Sequence, residues 1–126
     1  MGTNKKTIAI YCRTAIADDA AIERQKKSLE SHIRQNYSCT DIVCYSDNGC
    51  SGMDFDRPAL NRLNRDIEDG KVDMVIVQSL SRIGRDSGRT LKWVEALPEK
   101  GVSLVAMDCP KPLLFQAFYQ STPASD

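Results

Sequence analysis

Residues 57–79, RPALNRLNRDIEDGKVDMVIVQS, hold the pattern that decides the fold. The first half puts Leu60, Leu63 and Ile67 at i, i+3 and i+7, one stripe of a helix, with Pro58 in its first turn and Gly70 just past its end. The second half, Asp73 to Ser79, is a short, mostly apolar, β-branched run that reads as a strand. Outward in both directions the alternation repeats. Thr7 to Cys12 (TIAIYC), Asp41 to Ser46 (DIVCYS) and Val102 to Asp108 (VSLVAMD) share the strand character. Between the first two, Ala20 to Gln35 aligns Ile22, Leu29 and Ile33 on one face, and Asp18, Asp19 and Glu23 put negative charge at the N-terminal turn. A third helix is predicted from about Asp86 to Leu97, with Leu91, Val94 and Leu97 inward and Pro98 stopping it. Strands and helices in strict alternation predict an α/β fold: a mostly parallel four-stranded sheet flanked by helices. Ligands of such sheets sit at the carboxyl ends of the strands, so function is to be sought after Cys12, Ser46, Ser79 and Asp108.

At 126 residues the chain has room for one domain and excludes a two-domain enzyme. Seventeen basic and seventeen acidic side chains cancel, so any binding of nucleic acid must come from local charge. Runs such as Met74 to Val77 and Val102 to Met107 are too short to span a bilayer, and residues 1–6 lack the apolar core of a signal peptide; no membrane partner and a cytoplasmic location are expected. Five cysteines are an odd count, better read as free thiols than as staples. Cys39, Cys44 and Cys50 do not have zinc-site spacing, and the one histidine, His32, falls in a helical segment, so no metal is expected.

The strand ends are rich in arginine. Arg13 follows the first strand, Asp47 and Ser51 follow the second, and Leu80 to Asp86 (LSRIGRD) follows the third. On a continuous helix Arg82, Arg85, Arg89 and Lys92 would lie within about 80° of arc, a basic stripe. Planar, permanently charged guanidinium groups at one edge favour contact with phosphate. Neither GxGxxG nor GxxxxGK[ST] occurs, which excludes dinucleotide and P-loop readings. Asp54 and Asp56 form a DxD that reads as capping for the helix after Arg57 rather than as a magnesium site.

YCRTA, IERQ, YSDNGCSGMDFDRPAL and LSRIGRD, in this order and spacing, resemble the catalytic domain of the serine recombinases, the resolvase/invertase family, and particularly its large integrase and transposase branch. The match runs from about Thr7 to Asp108. The resemblance implies site-specific DNA strand exchange through a serine joined to a 5′ phosphate, with no metal or other cofactor, since the protein–phosphate bond conserves the energy for religation. It implies that Arg13, Arg82 and Arg85 grip the scissile phosphate, with Arg57 in support, and that Tyr11, Gln25, Asp47 and Ser51 complete and orient the pocket. Two departures stand out. The position of the family's nucleophilic serine is Ala15, whose methyl group cannot attack phosphorus, and neighbouring Thr14 points to the opposite side of an extended segment. Family members continue into a long dimerising helix and a DNA-binding domain, where this chain has a proline-rich tail.

The expected organisation is a resolvase-like catalytic domain over residues 1–109 and an irregular tail over residues 110–126 that holds Phe115, Phe118 and Tyr119. The expected function is that of a recombinase catalytic domain unable to cleave as written. The alternative is a non-catalytic DNA-binding or regulatory module derived from a recombinase. A third reading, a phosphatase-like hydrolase using Cys12 or Cys50, lacks the CxxxxxR phosphate loop. The expected partner is DNA, bound weakly and without sequence preference through Arg89 and Lys92 as well as the edge arginines, together with self-association or pairing with other recombinase subunits.

Overall fold

The computed structural model describes residues 6–37 and 40–108. The elements run β1 (Lys6–Thr14), α1 (Asp19–Asn36), β2 (Thr40–Asn48), α2 (Pro58–Glu68), β3 (Met74–Val77), α3 (Leu80–Ile83), α4 (Ser87–Ala96), a 3₁₀ turn (Pro98–Lys100) and β4 (Ser103–Ala106). All pairings are parallel, in the order β2-β1-β3-β4. The predicted α/β class and sheet are therefore present, with β1 and β2 two residues longer at the carboxyl end than their apolar runs suggested. Those extra residues are polar ones, Arg13, Thr14, Asp47 and Asn48, which backbone pairing rather than hydrophobicity keeps in the strands.

Alternation along the strands divides the core in two. Ile8, Ile10 and Cys12, with Ile76 and Val105, face Leu29 and Ile33 of α1. Ala9 and Tyr11, with Val75, Val77 and Leu104, face Leu60, Leu63 and Ile67 of α2 and Val94 of α4. Burying each of these aliphatic side chains contributes on the order of 1.5 to 3 kcal/mol, so both faces of the sheet are needed for stability. The chain leaves β1 toward β2 on one side and returns to β3 on the other. A crevice results at the carboxyl ends of β1 and β3, where the strand order reverses.

Helix boundaries follow local chemistry where it is strong. Asp18 caps α1 by accepting from the Ala21 N–H at 3.0 Å. Past α2, Gly70 adopts φ +73, which closes the helix with an N–H donated to Ile67. Three expectations are corrected. The Asp54/Asp56 pair does not cap α2: Asp54 accepts from the Asp56 N–H and Asp56 from the Asn61 side chain, while the first turn of α2 is capped by Asp47 from the end of β2. The basic stripe is broken, because Gly84 is extended and Asp86 starts a new helix by accepting from Arg89 N–H; Arg82 lies on α3, Arg85 between the helices, and only Arg89 and Lys92 on α4. Leu91 does not point inward. It is 37% exposed and lines a cavity of about 460 Å³ with Leu80, Gly84, Arg85, Thr90 and Val94. The proline-rich tail and its aromatics lie outside the described residues.

Candidate active site

Asp47, 3% exposed, is the hub of the carboxyl edge. One carboxylate oxygen accepts from the Ala59 N–H at 2.8 Å; the other accepts from the Leu60 N–H at 2.9 Å and from the Tyr11 hydroxyl at 2.7 Å. A negative group at a helix N-terminus satisfies orphan N–H donors and the helix dipole together. Tyr11 in turn accepts from Arg57 Nη1 at 2.9 Å. Burial first, and then its bond to Asp47, pushes the Tyr11 hydroxyl far above its ordinary range, so it stays protonated as the link between a buried cation and a buried anion.

Two guanidinium groups are buried beside this relay, Arg13 at 2% and Arg57 at 1% exposure. Arg13 donates to the carbonyls of Arg82 (2.9 Å), Cys50 (2.9 Å) and Ser81 (2.6 Å). Arg57 donates to the carbonyls of Asp54 (2.7 Å), Arg82 (3.1 Å) and Ile83. Together they clamp the backbone of residues 81–83, and Arg82 returns a bond from Nη1 to the Arg13 carbonyl at 3.0 Å. Gln25 of α1 brackets Arg13 as well, accepting from its N–H at 3.2 Å and donating to its carbonyl at 3.1 Å. Carbonyl dipoles satisfy the donors without neutralising the charge, so the edge remains electropositive. Burial, followed by the nearby charges of Arg57, Arg82 and Arg85, lowers the Arg13 pKa from its ordinary value.

The structure thus gathers Tyr11, Arg13, Gln25, Asp47, Arg57 and Arg82 into one bonded cluster. Arg85 is exposed on its rim, its N–H bonded to the Gly52 carbonyl at 2.9 Å. Ser51 is exposed and its hydroxyl accepts from the Met53 N–H at 3.1 Å. Ala15 is exposed one residue beyond the end of β1, while Thr14 is buried with its hydroxyl donated to Asn48 at 2.7 Å. Arg89 and Lys92 are exposed on α4, and Arg89 is paired with Asp86 at 3.6 Å.

Sequence reasoning missed the residues that shape the cluster by packing. Phe55 lies under Arg57, its ring centroid 5.2 Å from the guanidinium carbon, and Arg57 is 5.8 Å from the Tyr11 ring. Asn48 ties Thr14, the Asp18 N–H and Asp19 together, fixing the turn that holds Ala15. Gly84 lets the Phe55 ring approach the backbone; a Cβ there would overlap that ring. The one available signal was a glycine inside LSRIGRD, which does not say what approaches it. Gly84→Ala is expected to destabilise the domain by about 1 to 3 kcal/mol, as overpacking does. Chemical denaturation of the two proteins measures this, and an unchanged midpoint would contradict the close packing of Phe55.

Comparison with known proteins gives a consistent picture. A family model described as "Resolvase, N terminal domain" matches residues 8–124. A protein of Bacillus subtilis (strain 168), named as a DNA recombinase, is 31% identical over 101 residues; the match takes in 78% of this chain, which spans about a fifth (20%) of that relative's length. Among solved structures, the N-terminal catalytic domain of TP901-1 integrase superimposes with a TM-score of 0.80 at 25% identity, covering 95% of this chain and 96% of that one. A resolvase family site-specific recombinase from Streptococcus pneumoniae shares the fold, with a TM-score of 0.72 at 24% identity over 95% of this chain and 87% of that one. On the strength of a family model that matches most of its length, the chain belongs to the resolvase N-terminal domain family of serine recombinases.

Proposed function

We propose that this domain binds a DNA phosphodiester at the carboxyl edge of its sheet in the manner of a recombinase catalytic site and, with Ala15 at the nucleophile position, does not cleave it. The observation that carries the reading is the concentration of Arg13, Arg57 and Arg82 around a single carboxylate, Asp47, with Arg85 at the rim. Such an edge suits the charge that develops on a phosphoryl group without help from a metal. In this reading the arginines have different duties. Arg13 and Arg57 hold the 81–83 backbone, while Arg82 and Arg85 reach the phosphate. Arg82 Nε is buried with no hydrogen-bond partner among the described residues, a donor in reserve beside the site. Tyr11, Gln25 and Asp47 set the geometry, and Arg89 and Lys92 add flanking phosphate contacts. Pairing with other recombinase subunits and a cytoplasmic location belong to the same proposal.

The test is a suicide DNA substrate with trapping of covalent adducts, alongside binding measured over a range of salt. No adduct is expected. Binding should be micromolar or weaker and largely sequence-independent, with a log–log salt slope of about two to four, close to one unit per phosphate contacted. A 5′-phospho-linked adduct mapped to any residue of the chain overturns the reading, as does tight binding that persists at high salt.

A further inference from the structure

Beside the arginine cluster, α3 and α4 border the cavity of about 460 Å³, and its wall is mainly apolar: Leu80, Leu91 and Val94 form most of it, with Ser81, Arg85 and Ser87 as the polar part. Leu91 stands 37% exposed and Leu80 is half-buried. Thr90 belongs to the same wall; it is 7% exposed, and its hydroxyl is buried without a hydrogen-bond partner among the described residues. Two leucines open to water next to an unsatisfied buried hydroxyl mark a surface that lacks both an apolar and a polar partner.

The chain itself leads to this cavity. β4 lies beside β3 and runs parallel to it, so it ends at the edge from which α3 departs. Leu104 and Ala106 pack in one layer with Val94 and Leu80. Past the strand, the Met107 N–H donates to the Val77 carbonyl at 2.9 Å and the Asp108 N–H to the Gln78 carbonyl at 3.1 Å. Asp108 is thereby held against Gln78, two positions before Leu80 at the cavity wall. Residues 109–126, outside the described residues, read CPKPLLFQAFYQSTPASD. Leu113, Leu114, Phe115, Phe118 and Tyr119 fall within seven positions, and no charged residue occurs between Lys111 and Asp126. Four residues link Asp108 to Leu113, a reach of up to roughly 17 Å, which exceeds the roughly 10 Å width of a helix.

We propose that the cavity between α3 and α4 is the docking site of residues 113–119 of the same chain, whose leucine and aromatic side chains cover Leu80, Leu91 and Val94. Burial of apolar surface drives the contact, and the segment brings no charge that would have to be desolvated. Backbone polar groups of the segment supply the hydrogen-bond partner that Thr90 lacks. The tether selects this occupant over a second copy: a short link holds the segment at an effective concentration in the millimolar range, on the order of a thousandfold above a protein at micromolar concentration.

Photo-cross-linking of the whole chain at micromolar concentration, with p-benzoylphenylalanine in place of Phe118 or, separately, of Phe115, tests this after peptide mapping. The expected product runs as a monomer and joins the probe to a residue within 80–94. Leu91→Asp puts a charge into the cavity from a partly exposed position and should lower the cross-link yield about tenfold or more. Val43→Asp, at a similarly exposed site on β2, should leave the yield unchanged; circular dichroism checks that both variants are folded. A cross-linked dimer in place of the monomer product gives the cavity to a second copy and overturns the proposal. So does a cross-link that maps outside residues 80–94, the lack of any cross-link from both probe positions, or a yield that Leu91→Asp lowers no more than Val43→Asp does.

Discussion

Asp47→Ala is expected to destabilise the domain by about 3 to 5 kcal/mol, a large part of the roughly 5 to 15 kcal/mol that holds a domain of this size folded. The substitution leaves two N–H groups of α2 and the Tyr11 hydroxyl without their shared acceptor, and it strips the buried Arg57 of the anion it reaches through Tyr11. Each unsatisfied buried group carries its own desolvation penalty, and the cation carries the largest. Asp54→Ala and Asp56→Ala, by contrast, remove exposed turn bonds and should each stay within about 1 kcal/mol of the parent. Urea unfolding followed by circular dichroism compares the three. If Asp56→Ala proves as damaging as Asp47→Ala, the cap has been assigned to the wrong residue.

Restoring the nucleophile gives the second large effect. Ala15→Ser should leave the fold intact, since Ala15 is exposed and outside β1, yet activity of the domain alone should stay negligible. Positioning of the phosphodiester in line with a hydroxyl is worth many orders of magnitude in rate, and the few phosphate contacts proposed for this domain, Arg89 and Lys92 among them, do not fix that line. Joined to the DNA-binding part of a related recombinase, the revertant is expected to nick plasmid substrate. Arg82→Ala or Arg85→Ala in that fusion should then lower the rate by about 10² to 10³, the cost of losing one donor to a developing oxyanion. These two arginines are the informative ones. Arg13 and Arg57 hold the 81–83 backbone, so their removal damages the architecture before it reports on chemistry. A fusion that folds and binds its site but nicks equally well without Arg82 would refute the assignment.

The layer structure is legible in the letters alone, and so is the sheet edge at which a site is to be sought. Hydrophobic period distinguishes helices from strands, because a residue such as Leu63 or Val75 reports which periodicity buries it, and parallel order follows from strict alternation. The edge arginines are visible for the same reason: they stand directly after apolar runs, where a parallel sheet places its ligands. The family motifs then name Tyr11, Gln25, Asp47 and Arg57 as companions of Arg13, Arg82 and Arg85. How each of these is held is visible only in three dimensions. A buried arginine bonded to carbonyls and an exposed one at a rim are the same letter. Asp47 caps a helix that begins about a dozen residues away, a contact no local rule anticipates, while the Asp54/Asp56 pair beside that helix has the local signature and does not make it. The broken basic stripe has a similar origin: residues 82–92 satisfy helical spacing, but Phe55 packed against Gly84 and the Asp86 cap divide them. Periodicity is a property of neighbours in sequence and can be read there. The partnering of buried polar groups depends on which distant backbone reaches them, and only the folded chain brings those together.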